Sequence, residues 1–205
     1  MTIMSEQDPA RPVGLRERKK ARTRASIREH ALRLFREQGY HATTVEQIAE
    51  AAEISPSTFF RYFPTKEDVV IQDDMDLIAL AAFERAPAGL SPVAAFRAAM
   101  AEAYAALTEE ELARLEETSE LTMTIPELRA RAVDELSRTI DVIAQVTARR
   151  TGRDPSDLAV RNLAGAVMGV VMSATLPWAG AGHHTAEMFE RIDAALAHLE
   201  AGLPL

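Results

Sequence analysis

Cysteine is absent from the 205 residues, which excludes disulfides, thiolate-held metals and a thiol nucleophile. Aromatic residues make up only 5% of the chain, with a single tryptophan, so the core must rest mainly on aliphatic side chains. No stretch alternates apolar and polar residues between turn signals, which leaves no candidate strand and points to an all-α fold. There is no internal repeat, no P-loop, no glycine-rich dinucleotide fingerprint and no pairing of a nucleophile with a base. An enzyme is therefore the weaker reading. His183-His184 with Glu187 lacks ligand spacing on one helical face, so neither a metal nor a cofactor is expected.

Two segments bear on location. Met1 to Gly14 is polar, carries two prolines and lacks the apolar core of a secretory signal, so it is read as a disordered lead-in over residues 1–14. Leu163 to Gly182 holds no charged residue and is long enough to span a bilayer. Four glycines at 165, 169, 180 and 182, together with Ser173, Thr175 and Pro177, dilute it, which favours a packed helix over a membrane span. No membrane association is expected, and a reducing cytoplasm suits a chain without cysteine.

Excess positive charge is also missing overall, but it is present locally. The net charge is −8, yet Arg11 to Lys66 carries twelve Lys/Arg against six Asp/Glu, a net +6, while residues 67–205 sum to −12. A basic head on an acidic body is the distribution a nucleic-acid binder with a separate regulatory part requires.

What is present is helical periodicity nearly throughout. Ile27, Ala31, Leu34 and Phe35 share the face of a first helix that Gly39 ends. Thr44 caps a short helix, Val45 to Ala52, with Gln47 at the capping-box position. Ser55-Pro56 opens a third helix, which must stop near Phe63 because Pro64 follows. Thr65 caps a fourth, with Ile71, Met75, Ile78 and Ala82 as its stripe. Pro92, Glu109, Pro126 and Asp154-Pro155 open four more, and a last helix begins near Thr185 with Met188, Ile192, Ala195 and Leu199 expected inside. The total is about nine helices.

Two short helices joined by a tight turn beside a basic helix form a unit that can read DNA. The first braces across the backbone and the N-terminal residues of the second reach base edges in the major groove. Val45 to Ala52 is the expected brace and Pro56 to Phe63 the expected reader.

Segment 26–66, SIREHALRLFREQGYHATTVEQIAEAAEISPSTFFRYFPTK, resembles the DNA-binding domain of tetracycline-repressor (TetR) type regulators. The matching features are Ala31-Leu32-Arg33-Leu34-Phe35 with Gly39-Tyr40, the cap and brace from Thr43 to Ala52, and Tyr62-Phe63-Pro64-Thr65-Lys66. The resemblance implies a helix-turn-helix DNA-binding domain over 15–66 and a helical ligand-binding and dimerisation domain over 67–205. It also implies that Thr44, Tyr62 and Lys66 meet phosphates, that Arg22 and Arg24 follow the DNA backbone or enter the minor groove, and that Ser55, Ser57 and Thr58 face bases or phosphates. Two positions depart from the pattern. Glu53 stands in the brace-to-reader turn, and Ser57 on the reader, where the family often has glycine.

For the body the expectations are coarser. A largely apolar effector pocket is expected around Met75, Ile78, Phe96, Arg97, Met100, Tyr104, Met123 and Trp178, with Arg97 or Tyr104 orienting a polar end. Gly165, Gly169 and Ser173, spaced by four, form a flat strip that, with Val170 and Ile192, would join two copies of the chain. The same strip could instead pack inside one copy. The expected partners are a double-stranded DNA operator, a small-molecule effector and a second copy of the chain. The expected function is a regulator, read as a repressor, that a small, largely apolar ligand releases from a pseudo-palindromic operator. The alternatives are a ligand-independent or partner-controlled regulator, and an enzyme with a vestigial head.

Overall fold

The computed structural model describes residues 14–72, 75–175 and 185–205. It is all-α, with ten helices and no strand among the described residues. The chain divides into two compact units, one up to Val69 and one from Val70 onward.

The first unit is built on α1 (Leu15–Gln38), α2 (Val45–Ala51) and α3 (Pro56–Tyr62), with the short α4 (Asp68–Ile71) running across the boundary. The first three turns of α1 are mostly exposed, and its buried face begins at Ile27 and continues through Ala31, Leu32 and Phe35. Gly39 ends α1 at φ +87°, a conformation that suits glycine because it has no Cβ. Thr44 caps α2 in a full capping box with Gln47. Ser55 caps α3 by accepting the Thr58 N–H at 3.1 Å. Ile48, Phe59 and Phe63 are wholly buried and pin the two short helices to α1.

Polar ties close this unit. The Lys66 ammonium lies 4.0 Å from the Tyr40 ring centroid and donates to the carbonyls of Tyr40 (2.9 Å) and Thr43 (3.0 Å). The Tyr40 hydroxyl donates to Glu67 at 2.7 Å. Burial pushes the Glu67 carboxyl up, but the Tyr40 hydroxyl, backbone and Thr65 bonds and the Lys66 charge together hold it below its ordinary value. Arg28 is buried; it donates to the Val69 carbonyl at 3.2 Å, and its guanidinium lies over Phe63. Glu53 does adopt a left-handed conformation, at φ +55°, where glycine would be at ease.

The second unit contains α5 (Met75–Arg85), α6 (Pro92–Ala105), α7 (Glu109–Thr124), α8 (Pro126–Thr151), α9 (Leu158–Thr175) and α10 (Thr185–Glu200). Its core joins α5, α6, α8, α9 and α10 through Phe83, Phe96, Ile143, Val160, Val167, Ile192 and Leu196. Phe83 and Phe96 stack with centroids 4.1 Å apart. Arg150 reaches from α8 to the carbonyls of Ala86, Pro87 and Leu90 and so ties down the α5–α6 connection.

Two boundaries and one buried face differ from the sequence reading. The expected fourth helix is two segments, α4 and α5, because Gln72 is non-helical. α9 begins at Leu158 rather than at Pro155. Asp154 spends its carboxylate on the Ser156 N–H and hydroxyl in a turn, and Asp157 then accepts the Ala159 N–H at 2.8 Å. α10 buries Thr185, Phe189, Ile192 and Leu196, so its inner stripe is turned by about one residue from the expected one, and Met188 and Leu199 lie at its margin.

Two stability effects follow. Glu53→Gly should stabilise the protein by about 0.5–1 kcal/mol, because relief of left-handed strain outweighs the extra entropy of an unfolded glycine. A denaturant titration showing equal or lower stability would contradict that balance. Lys66→Ala should cost about 1–2 kcal/mol through two lost charge-assisted bonds, while the DNA sequence that is preferred stays the same. Unchanged stability, or a changed preference, would overturn the internal role of Lys66.

Candidate nucleic-acid interface and effector cavity

The reader helix buries one side and presents the other. Phe59 and Phe63, one turn apart, point into the head, and the Arg24 guanidinium sits 4.6 Å over Phe63. Pro56, Ser57, Phe60 and Arg61 are exposed, and Thr58 and Tyr62 are half-buried. The Ser55 and Ser57 hydroxyls lie 2.9 Å apart, and Ser55 donates to the Thr58 hydroxyl at 3.0 Å. Three hydroxyls therefore gather at the start of α3, the end that enters a groove first. Arg61 lies over the Tyr62 ring at 5.4 Å.

The basic residues divide into two kinds. Arg16, Arg18, Lys19, Lys20 and Arg22 are exposed on the projecting turns of α1, and Thr44 is exposed at the start of α2. Arg24 and Lys66 are half-buried and committed inward, to the Phe63 ring and to the Tyr40 and Thr43 carbonyls. Lys66 is thus a clasp within the head, not a cation held out on its surface. Phe60 was missed by sequence reading. Half of it is exposed, and the signal was available: it cannot share the buried face defined by the i, i+4 pair Phe59 and Phe63.

The body holds a cavity of about 190 Å³. Val70 and Ile71 form one side, α7 contributes Leu115, Thr118, Ser119, Thr122 and Met123, and α8 contributes Ala132. Of the eight expected pocket residues, Met123 alone among those described lines it. Phe96 is a core ring stacked on Phe83, so a bulkier residue there would overpack the core instead of filling a pocket. Met100 packs against the same core. Arg97 turns to α10, bonding Asp193 at 2.9 Å and Glu200 at 3.0 Å, and its pairing holds the Asp193 carboxyl below its ordinary value. Tyr104 also faces α10, with its ring 4.3 Å from that of Phe189. Met75 and Ile78 sit half-buried on α5, outside the cavity lining, and Trp178 lies outside the described residues. α6 is buried on a broad face, between α5 and α10, which is where Phe96, Arg97, Met100 and Tyr104 are spent.

On α9, Gly169 and Ser173 are exposed, Gly165 and Val170 are half-buried, and a Cβ added at either glycine meets nothing within 4 Å. Among the described residues nothing therefore covers the two glycines. Ile192, expected on the same interface, is instead only 4% exposed and belongs to the core of the chain itself. α9 is long and apolar enough to cross a membrane, but Val160, Ala164 and Val167 are buried and join the core with α8 and α10. Among the described residues, no cluster of side chains is arranged to hold a metal ion.

Comparison with known proteins agrees with this architecture. Residues 27–72 match the family model for bacterial regulatory proteins of the tetR family, and residues 90–204 match the MftR C-terminal domain. The chain is 38% identical to the HTH-type transcriptional regulator TcmR of Streptomyces glaucescens over 151 residues, 70% of this chain and 67% of that protein. It is 28% identical to MftR of Mycobacterium tuberculosis, named as a mycofactocin biosynthesis transcriptional regulator, over 91% of this chain and 93% of that one. Among solved structures it resembles FadR of Thermus thermophilus, a transcriptional repressor in complex with lauroyl-CoA. That match has 27% identity and a TM-score of 0.53, covering 89% of this chain and 95% of that chain. The second family model alone spans more than half of the chain, and the protein belongs to the tetR family of bacterial transcriptional regulators.

Proposed function

We propose that the protein is a homodimeric repressor that binds a pseudo-palindromic operator and is released by a small effector held in the cavity beside α7. The observation that carries this reading is the exposed face of α3, where Ser55, Ser57 and Thr58 stand at the helix start and Phe60 lies on the outer side. Hydroxyls can bond base edges or phosphates, and an exposed apolar ring suits the thymine methyl group. Arg22 and the exposed basic turns of α1, with Thr44 and Tyr62, supply backbone contacts that position the reader. Arg24 and Lys66 act indirectly by holding Phe63 and the loop after α1. The open strip of Gly165, Gly169, Val170 and Ser173 on α9 is the surface for the second copy.

Release works by differential affinity: an effector shifts the population only as far as it prefers the non-binding state. Val70 and Ile71 line the cavity and follow directly on Val69, whose carbonyl Arg28 holds within the head. Occupancy of the cavity thus acts on the residues next to the head in the chain. The FadR relative, crystallised with lauroyl-CoA, lends support to effector control on this fold.

Selection from random DNA should enrich an inverted repeat whose half-sites are centred about one helical turn apart. Phe60→Ala should weaken a thymine preference within each half-site by about 1 kcal/mol. Enrichment of an asymmetric site, or of none, would contradict the proposal. Gly169→Glu has space within the protomer, so it should leave helix content intact while weakening self-association and, with it, operator affinity. Sedimentation of the wild-type protein as a monomer at micromolar concentration would remove the dimer.

A further inference from the structure

The cavity beside α7 has a chemical bias that the family relationship does not supply. Thr118, Ser119 and Thr122 place three hydroxyls along it, at positions one turn of α7 brings together. A hydroxyl has one proton to give and two lone pairs to receive with. Thr118, only 8% exposed, directs its proton at the Arg114 and Leu115 carbonyls, at 3.0 and 3.1 Å. Thr122 directs its own at the Thr118 carbonyl, at 2.7 Å. With their protons committed to the helix backbone, both threonines can only accept from whatever occupies the cavity. Among the described residues no charged side chain lines it, so a carboxylate or ammonium group would find no counter-charge there. The remaining walls, Val70, Ile71, Leu115 and Met123, are apolar, and a methionine sulfur packs well against an aromatic edge.

Size narrows the choice. A cavity of roughly 150 Å³ is enough for benzene. At about 190 Å³ this one has room for a single ring with a short substituent. We propose that the cavity takes an uncharged, single-ring ligand that donates a hydrogen bond through a hydroxyl group: a phenol-type effector. This inference rests on the reading of the cavity as the effector site.

The test uses the full chain carrying ¹³C-methyl methionine, with the Met123 signal assigned through Met123→Leu. Three probes of nearly equal shape are titrated: 4-ethylphenol, 4-ethylanisole and 4-ethylbenzoate. The phenol should shift and saturate the Met123 signal, binding about tenfold more tightly than the anisole, the worth of one hydrogen bond. The benzoate should leave the signal in place. Thr122→Val and Thr118→Val should each bring the phenol towards the anisole's affinity while the anisole still shifts Met123, an outcome that a folding defect would not produce. Equal binding of phenol and anisole, or tighter binding of the benzoate, would overturn the donor requirement and leave the cavity as an effector site. Silence of Met123 towards all three probes would overturn the effector-site reading and, with it, this inference.

Discussion

A helix of seven residues does not hold together by itself in water, because nucleation costs more than so few hydrogen bonds return. α2 and α3 are both of that length, so everything the head presents to DNA depends on what clamps these helices to α1. The clamp is apolar at its centre, where Phe59 and Phe63 are wholly buried with ring centroids 6.0 Å apart. It is cationic at its edge, where Arg24 and Arg28 lie over Phe63 and Lys66 over Tyr40. Side chains that would be counted from sequence as DNA contacts are thus partly spent on preorganisation. The gain is a rigid reader whose hydroxyls are in place before DNA arrives.

Charge in this protein works locally. The chain carries a net −8, which would repel DNA at a distance if it were spread evenly. The exposed turns of α1 concentrate Arg16, Arg18, Lys19, Lys20 and Arg22 on the head, and contacts beyond a Debye length of about 10 Å are screened at 0.1 M salt.

The head was legible in the sequence because its signals are local. Thr44 and Gln47, Ser55 and Pro56, and Gly39 each specify a boundary within four residues, and each does so in the structure. Glu53 was legible only as a departure from the family pattern: the sequence left open whether the turn changes shape or keeps its positive φ, and the structure keeps it, at φ +55°. The body was legible as helices but not as a site. The partners of Arg97 lie 96 and 103 residues away on α10, and no short-range pattern announces them. Helical periodicity identified an apolar stripe on α6 but could not say that α5 and α10 would close over it. For Ile192, periodicity could not separate the face that packs within the protomer from one left open to a partner.

The body then has two separate features: a closed core with Phe83 and Phe96 at its centre, and a cavity set apart from it between α7, α8 and Val70-Ile71. Regulation by this protein depends on specific DNA binding through the local positive charge of the head. The salt dependence of affinity for the selected operator tests this most directly. If binding neutralises six to ten phosphates, affinity should fall by about 10³- to 10⁵-fold between roughly 50 and 200 mM salt. A change of less than about tenfold over that range would mean that fewer than two phosphates are engaged, and would contradict the account.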